Sequence, residues 1–314
     1  MTEIPATLHV KSSGGEQKMV ANNTVTGTIR VQLEDTRLVI SDDEFRLLRE
    51  FIHLHTGIAL SEHKRALVCS RLAKRLRFHG LRHYSEYYSL LTQGDPKGHE
   101  LVSMINCITT NKTDFFREQH HFNFLKEILI PAYLRNQNRV RPMRIWSAAS
   151  STGEEAYSIA MTVLEAMLSC TELDVRILAT DIDTDVISRA QNGIYTLEQA
   201  KQIPPALLHR YFLKGQGTHE GYVMVKPVLK NLIQFNWLNL LNDPWPMHER
   251  FDVIFCRNVL IYFDKPTQQK LFQRMGNALK KDGYLMLGHS EAMHGLVHKF
   301  KPVGHSIYHN REEK

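Results

Sequence analysis

The stretch from Arg144 to Met161, RIWSAASSTGEEAYSIAM, constrains the fold of this chain more than any other. It begins with the apolar pair Ile145 and Trp146, passes through small residues only, and continues as a helical pattern opened by two glutamates. This order predicts a strand, a tight turn and a helix. Because such a turn lets a ligand approach the backbone, the free N–H groups at the helix start would face that ligand. The stretch therefore predicts a site for a nucleotide or a nucleoside-like cofactor.

The residues of the turn narrow the choice of ligand. Their spacing is not G-x-G-x-x-G, and no Lys follows the Gly as it does in a phosphate loop. A pyrophosphate at a helix start prefers neutral or positive neighbours, whereas Glu154 and Glu155 add negative charge. We therefore expect a cationic ligand or a hydroxyl-rich nucleoside without phosphates, and S-adenosylmethionine fits both descriptions. The alternative is that the two acids only complement the helix dipole.

Composition bounds the class of protein. The chain has 314 residues, enough for about two domains, and its hydrophobic content of 43% is ordinary for a globular protein. It has neither the roughly 20 apolar residues of a membrane span nor a signal-peptide core, so we expect a cytoplasmic protein without membrane insertion. Its 4 cysteines and 17 histidines are scattered, which predicts reduced thiols and no metal site. The formal charge of +6 favours an acidic partner, either nucleic acid or an acidic protein surface.

Changes in pattern divide the chain into four segments. The N-terminal residues mix Ser, Gly, Thr and Asn without a helical period, which predicts a loose tail. Ser41 and Glu44 then form a capping signature that opens a helical region. The predicted segments are a tail at 1–38, a helical domain at 39–110, a linker helix at 111–140 and an α/β domain at 141–314.

The second predicted helix, residues 61–78, is strongly basic. It carries 6 bases against one acid, and Lys64, Arg71 and Arg75 form a stripe beside the apolar face. Two interpretations stay open. The face is only solvated, or it docks an acidic helix or phosphates.

The segment Thr109 to Glu118, TTNKTDFFRE, precedes the linker helix. Asn111, Thr113 and Asp114 are typical capping residues, which predicts a helix start here. Arg117 would then lie in the first turn, where the helix dipole disfavours a cation. This position indicates that Arg117 serves a site.

After the small-residue turn, apolar runs alternate with helical patterns. This alternation predicts a doubly wound, mostly parallel sheet. In such a sheet an acid at the end of the second strand takes the ribose hydroxyls of a nucleoside, so Asp181 is the candidate, whereas Asp183 and Asp185 are expected to cap the next helix. The predicted further strands are 174–179, 232–235, 251–256 and 283–289, with a closing antiparallel pair at 299–302 and 306–309.

An insertion at about 207–230 interrupts the alternation. Short apolar runs at 211–213 and 222–225 flank a loop with Gly215, Gly217 and Gly221, which predicts a hairpin. The hairpin is either a decorative loop or an exposed edge that binds an extended peptide.

The end of the fourth predicted strand is where such a fold places its reaction chemistry. Amine methylation commonly uses Asp or Asn followed by Pro-Pro and an aromatic residue. Here Arg257 and Asn258 follow the strand, without prolines. This difference favours an anionic acceptor and counts against an RNA methyltransferase, as does the lack of aromatic residues among the bases of the second helix.

Six motifs in one order give the chain its resemblance to a known family: TTNKTDFFRE, WSAASSTGEEAYSIAM, ATDIDTDVI, FNWLNLL, FDVIFCRNVLIYFD and GHSE. Over about residues 40–310 it resembles the CheR chemotaxis receptor methyltransferases. The resemblance implies an N-terminal all-α domain and a class I S-adenosylmethionine-dependent methyltransferase fold. It also implies methyl transfer to glutamate side chains of chemoreceptors, with S-adenosylhomocysteine as product. One departure is Ala148-Ala149-Ser150, where many relatives carry Gly and Cys, but all of these residues are small.

The resemblance also assigns residues and partners. The loop LKGQGTHEG looks like the β-subdomain that binds a C-terminal receptor pentapeptide in some members. The expected partner is the cytoplasmic domain of a chemoreceptor, with a monomeric enzyme, no nucleic acid and no metal. The implied cofactor contacts are Asn111, Thr113, Arg117, Glu154, Asp181, Asn239, Leu240, Arg257 and Asn258.

The expected mechanism needs no general base, because a glutamate with a pKa of about 4.3 is already ionised at neutral pH. Catalysis is then in-line positioning of the carboxylate against the methyl group, with loss of its water. We assign Arg117 to steer a carboxylate and Tyr262 to line the transfer site. A non-catalytic scaffold of the same fold would require lost cofactor residues, and none is evident.

Overall fold

The structure is a computed structural model, and it describes residues 38–135, 142–168, 173–291, 293 and 300–311. The predicted tail lies outside these ranges except for its last residue. Within the described part of the chain, no helix combines the length and the apolar character needed to cross a bilayer.

The N-terminal helices enclose a core of their own. The predicted helix start is confirmed, because Glu44 N–H donates to Ser41 Oγ at 3.2 Å and Ser41 N–H donates to Glu44 Oε2 at 2.9 Å. On the second helix Val68, Leu72 and Leu76 are buried, as the pattern predicted. The helices are α1 (Asp42–Thr56), α2 (Arg65–Phe78), α3 (Tyr84–Ser89) and α4 (His99–Ile108).

The linker helix begins later than predicted. It comprises α5 (His120–Phe124), a π-helical turn over Leu125–Leu129 and α6 (Ile130–Arg135). The residue before α5 is Gln119, so Asn111, Thr113 and Asp114 do not cap this helix, and that prediction was wrong. Residues 109–118 instead form an irregular segment, which we call the strap.

The α/β domain is built on the predicted sheet. The strand order is β6-β2-β1-β7-β8-β10-β9, with β6, β2, β1, β7 and β8 parallel and β10 antiparallel to both of its neighbours, β8 and β9. The order reverses between β1 and β7, which is the switch point where such sheets bind ligands. The strands are β1 (Met143–Ala148), β2 (Val175–Asp181), β3 (Ile194–Thr196), β4 (Phe212–Lys214), β5 (Tyr222–Val225), β6 (Ile233–Trp237), β7 (Phe251–Cys256), β8 (Leu279–Leu287), β9 (Phe300–Gly304) and β10 (Ile307–Asn310).

Helices cover both faces of this sheet. Successive side chains of a strand point to opposite faces, so Ile145 and Val253 join one hydrophobic cluster while Trp146 and Ile254 join another. The central strands are therefore buried on both sides, which explains their nearly continuous apolar runs. The remaining helices are α7 (Glu154–Met167), α8 (Thr184–Asn192), α9 (Leu197–Ala200), α10 (Pro205–Tyr211), α11 (Pro227–Lys230) and α12 (Lys265–Ala278).

A second, three-stranded antiparallel sheet has the order β3-β5-β4. Its β4–β5 hairpin was predicted, but β3 was not, and the small sheet begins well before residue 207. Three residues are too few for a strand period to be visible in the sequence. The missed strand supports the turn after β1, because Tyr195 Oη donates to the carbonyl of Thr152 at 2.7 Å.

Candidate functional site

A cleft of about 1270 Å³, part of which is open solvent, lies at the carboxyl ends of β1, β2, β6 and β7. The strap and residues from the first two helices form its other walls. It brings together most residues singled out in the sequence. Those that line it are Lys64, Arg71, Asn111, Thr113, Arg117, Asp181, Asn239, Leu240, Arg257, Asn258 and Tyr262.

The turn after β1 forms the floor of the cleft. Ala149, Ser151 and Gly153 have φ angles of 65°, 50° and 95°, so the chain passes through the left-handed region three times in five residues. A Cβ at Gly153 would lie 2.9 Å from the Cβ of Ala190, which leaves no room for a side chain. The predicted strand, turn and helix are confirmed. Strained backbone of this kind is held in place at binding sites by its surroundings.

The two glutamates that open α7 point in different directions. Glu154 is buried, accepts a hydrogen bond from Thr152 Oγ1 at 2.6 Å, and is not among the residues lining the cleft. Glu155 does line the cleft and accepts Ser147 Oγ at 2.6 Å. Burial raises the pKa of both carboxyls. The sequence analysis used the charge of both residues but placed only Glu154 among the cofactor contacts, because neighbouring helical residues differ by about 100° in direction and only packing sets the rotation.

Asp181 ends β2 and faces the cleft. Its carboxylate accepts Ser151 N–H at 2.8 Å and Asp183 N–H at 3.0 Å. Burial raises its pKa to about 6 despite these bonds, and within the described chain it has no ion-pair partner. A carboxylate accepts about four hydrogen bonds, so capacity remains for the hydroxyls of a ligand.

A buried guanidinium, that of Arg257, lies in the wall of the cleft. Arg257 Nη1 lies 3.1 Å from Glu155 Oε2 and Nη2 lies 3.3 Å from Glu118 Oε2, and Nη2 also donates to the carbonyl of Arg117. Its side chain is 2% exposed. The positive charge that suggested an anionic acceptor is thus paired with two acids of the protein. Glu118 was not singled out in the sequence as a site residue.

Arg117 and Tyr262 both line the cleft. The Arg117 guanidinium donates to the carbonyl of Lys112 at 3.2 Å and forms no ion pair within the described part of the chain. Tyr262 lies in a 3₁₀ turn after β7, and its carbonyl accepts Ala59 N–H at 2.8 Å, which joins this turn to the helical domain. Arg117 is therefore a cleft guanidinium that remains open to an anionic group.

Glu291, in the GHSE motif, fixes the turn after β7. It is 5% exposed and accepts N–H groups from Asn258 at 2.8 Å, Leu260 at 2.7 Å and Gly288 at 2.7 Å. Asn258 has a φ of 57°, so this turn too is strained. Sequence reasoning gave Glu291 no role, since the motif alone does not reveal that its carboxylate joins two backbone segments, the turn after β7 and the end of β8.

The wall formed by the end of β6 is held by other side chains. Asn239 Nδ2 donates to the carbonyl of His55 at 2.7 Å, and Asn239 Oδ1 accepts Leu241 N–H at 2.9 Å. Arg274 Nη1 donates to the carbonyl of Leu240 at 2.8 Å. These bonds position the two predicted cofactor residues, whose contact with a ligand stays a prediction.

The basic stripe on α2 is divided by the fold. Lys64 is exposed at the rim of the cleft, and Arg71 donates to the carbonyl of Thr109 at 3.0 Å while it lines the cleft. Arg75 leaves the stripe, because its Nε donates to the buried Glu100 at 2.9 Å and its side chain is only 19% exposed. The three residues therefore do not form one exposed docking surface.

The glycines of the hairpin lie in its loop and not in the cleft. Gly217 and Gly221 have φ angles of 58° and 87°, and a Cβ at Gly215 would collide with the carbonyl of His219. These residues shape a tight loop between β4 and β5.

Three possible metal ligands, Glu118, His120 and His121, lie together beside the cleft, with ligand atoms within 4.8 Å of one another. Glu118 is already paired with Arg257. Burial, and then the Arg257 charge, lower the pKa of His121 to about 2, so its imidazole is neutral. A nearby guanidinium that occupies the carboxylate opposes a cation at this position.

The doubly wound sheet, the small-residue turn at its switch point and the unpaired acid at the end of β2 define a nucleoside-cofactor enzyme of the S-adenosylmethionine-dependent methyltransferase class. The sequence matches two family profiles, "CheR methyltransferase, SAM binding domain" over residues 111–309 and "CheR methyltransferase, all-alpha domain" over residues 43–109. The chain therefore belongs to the CheR methyltransferase family. It is a protein-glutamate O-methyltransferase of the chemotaxis system.

Curated relatives agree with this assignment. The chemotaxis protein methyltransferase of Salmonella typhimurium is 43% identical over 284 residues, which cover 90% of this chain and 96% of that protein. Chemotaxis protein methyltransferase 2 of Pseudomonas aeruginosa is 44% identical over 85% of this chain and 92% of its own length. The Escherichia coli chemotaxis protein methyltransferase is 43% identical over 87% of this chain and 92% of its length.

Proposed function

We propose that this cleft binds S-adenosylmethionine with its ribose on Asp181, and that it presents the methyl group to a receptor glutamate that enters past Arg117 and Tyr262. The observation that carries the proposal is the buried Asp181 carboxylate, which lines the cleft and has no cation as partner in the described chain. The other contacts proposed from the family are Asn111, Thr113, Asn239, Leu240, Arg257 and Asn258, whereas Glu154 is left out because its buried carboxylate does not line the cleft.

Charge supports a cationic cofactor. Arg257 carries one positive charge between Glu118 and Glu155, so this group has a net negative charge when both acids are ionised. Glu291 adds a third carboxylate behind the turn after β7. A sulfonium in front of this cluster is stabilised, whereas a phosphate would be repelled.

On the acceptor side, Arg117 provides the guanidinium that an incoming carboxylate needs. It either steers the substrate glutamate or holds the carboxylate of the cofactor's amino-acid tail. No general base is required, since the acceptor is already ionised. The chain then acts by orienting the two reactants and excluding water, which supplies on the order of 7–11 kcal/mol in well-aligned systems.

The partner is the cytoplasmic domain of a chemoreceptor, so the enzyme acts in the cytoplasm, as a monomer and without a metal. Lys64 at the cleft rim meets the acidic methylation region, and Arg71 supports the strap behind it. The β4–β5 loop with Gly215, Gly217 and Gly221 holds the receptor's C-terminal pentapeptide and raises the local substrate concentration. Equal methylation of receptors with and without that tail would show that the β4–β5 loop does not hold the pentapeptide.

The decisive experiment is transfer of label from tritiated S-adenosylmethionine to purified receptor, with total RNA as the second acceptor. We expect label on the receptor that is released by base, because methyl esters are base-labile, and none on RNA. Arg117→Ala is expected to reduce cofactor affinity or turnover, and Lys126→Ala, an exposed lysine outside the cleft, is the control. Base-stable label on the receptor, or label on RNA, would contradict the proposal.

A further inference from the structure

The strap, residues 109–118, crosses the cleft between α4 and α5 and contains Asn111, Thr113 and Arg117. In the absence of regular secondary structure, its position depends on side-chain hydrogen bonds. Asp183 holds the strap, and the role of this residue rests on the proposed function of the strap in cofactor binding.

Asp183 binds two elements at once. Its Oδ1 accepts the N–H groups of Asp185 at 2.9 Å and Val186 at 3.2 Å, which caps α8 as the sequence predicted. Its Oδ2 accepts Thr109 Oγ1 at 2.7 Å and Asn111 Nδ2 at 2.6 Å, both from the strap. The residue is 1% exposed. A capping aspartate needs only the first pair of bonds, so the second pair asks for another explanation.

These bonds belong to a closed circuit that includes the proposed ribose acid. Asp183 N–H donates to Asp181 Oδ1 at 3.0 Å, and Asp181 Oδ2 accepts Ser151 N–H at 2.8 Å. Ser151 Oγ in turn donates to the carbonyl of Asn111 at 2.9 Å. The strap, the turn after β1 and the end of β2 are thereby fixed relative to one another around the cleft.

The helical domain is attached at the same place. Asn106, near the end of α4, donates through Nδ2 to Thr184 Oγ1 at 2.8 Å, and its Oδ1 accepts Thr184 N–H at 3.2 Å. Hydrogen bonds therefore join the start of α8 both to the end of the helical domain and to the beginning of the strap.

We propose that Asp183 is a positioning residue for cofactor binding: it holds the strap closed over the cleft and in register with Asp181. Without the two strap bonds, the strap would spend part of its time away from the cleft, and cofactor affinity would fall by the fraction of open molecules. The residues that face the acceptor would stay in place once the cofactor is bound.

Asp183→Ser tests this directly, because serine caps a helix about as well as aspartate but is too short to reach the strap. We expect the dissociation constant for S-adenosylhomocysteine, measured by calorimetry on the full chain, to rise about tenfold or more through loss of two charge-assisted bonds. We expect kcat at saturating cofactor to stay within about twofold, since the cofactor restores the closed strap. Asp185→Ser is the matched control, an exposed acid in the first turn of the same helix.

A second variant tests whether Asp183 acts through its bonds to the strap or through general stabilisation of the fold. Thr109→Val keeps the shape of the side chain and removes its bond to Asp183, together with the bond that Thr109 Oγ1 accepts from Asn111 Nδ2 at 3.2 Å. It should weaken cofactor binding in the wild-type background and have a smaller effect in Asp183→Ser, because both changes break the bond between Thr109 and Asp183. Hydrogen exchange of strap amides should accelerate in both single variants.

The outcomes are distinguishable. The proposed role of Asp183 would be contradicted if Asp183→Ser left cofactor affinity unchanged, including the case in which kcat and the melting temperature both fell. It would also be contradicted if the effects of the two changes on affinity were additive. Wild-type protein that binds neither cofactor nor product would instead overturn the proposed function.

Discussion

Two buried carboxylates, Glu100 in the helical domain and Asp181 in the cleft, are both 6% exposed, yet their surroundings differ. Glu100 accepts Arg75 Nε at 2.9 Å, Tyr87 Oη at 2.6 Å and lies 2.7 Å from His79 Nε2. Burial raises its pKa, but these hydrogen bonds outweigh burial and the net pKa is lowered. Asp181 has only backbone N–H donors, and its pKa rises to about 6.

The difference separates an acid that stabilises the fold from one that we propose binds a ligand. The partners of Glu100 satisfy its charge inside the protein, so it contributes to the free energy of unfolding at neutral pH. Asp181 is buried without a cation and is less stable when ionised, a cost that a bound ligand's hydroxyls can offset. Glu118 and Glu155 are intermediate between these two cases, since they share the single guanidinium of Arg257 at the edge of the cleft.

The largest effect is expected from removal of that guanidinium. Arg257→Met leaves Glu118 and Glu155, whose side chains are only 14% and 13% exposed, without a cation and should lower the free energy of unfolding by about 3–5 kcal/mol. Urea unfolding measures this effect. The control is Arg176→Met, which replaces a side chain that is 64% exposed and should change the free energy of unfolding by no more than about 0.5 kcal/mol. A loss no greater than that of the control would show that the two acids do not need Arg257.

A change of pH is expected to alter the contribution of Asp181 to the free energy of unfolding by a similar amount. Because its pKa is about 6 in the folded chain against an ordinary 3.8, the folded state binds the proton more tightly. Its contribution to stability is therefore full below pH 4 and is lost as pH rises through 6, by about 3 kcal/mol in total. Asp181→Asn should not show this loss, so its stability relative to wild type rises from pH 4 to 7.

The test is urea unfolding across that pH range, with Asp185→Asn as an exposed control from the same region. Parallel curves for wild type and Asp181→Asn would mean that Asp181 ionises normally. The surroundings of Asp181 would then not raise its pKa, and the contrast with Glu100 would not hold.

Glu100→Gln is expected to have a smaller effect, a loss of about 2 kcal/mol in stability, because hydrogen bonds to charged groups are replaced by neutral ones. Cofactor affinity should not change. The control is Glu50→Gln in the same domain, whose side chain is 61% exposed. Weaker cofactor binding by Glu100→Gln at full folding would contradict a purely structural role.

The smallest effect is expected at the exposed rim. Lys64→Glu should slow receptor methylation by less than about 1 kcal/mol in activation free energy, and the effect should fade as salt rises, because exposed charges are screened. The control is Lys74→Glu, which changes an exposed lysine on the adjacent helix α2 that does not line the cleft. Equal slowing by both substitutions would indicate a general charge effect in place of docking at the cleft.

Much of this site was predictable because its signals are local. The small-residue turn, Asp181 at the end of β2, the cap at Asp183 and the β4–β5 hairpin each depend on neighbours in sequence. The contacts that were missed join distant segments. Arg257 reaches Glu155 across 102 positions and Glu118 across 139, and no local pattern indicates such a pair.

The sequence by itself determined the order of the main strands and helices, the small-residue turn after β1 and the family, because periodicity and turn residues act over a few positions. The tertiary structure decided that Glu155 faces the cleft and Glu154 does not, that Arg75 is committed to Glu100, and that Asp183 reaches the strap. These outcomes depend on helix rotation and on packing between distant segments, which minimise unpaired buried charge over the whole fold.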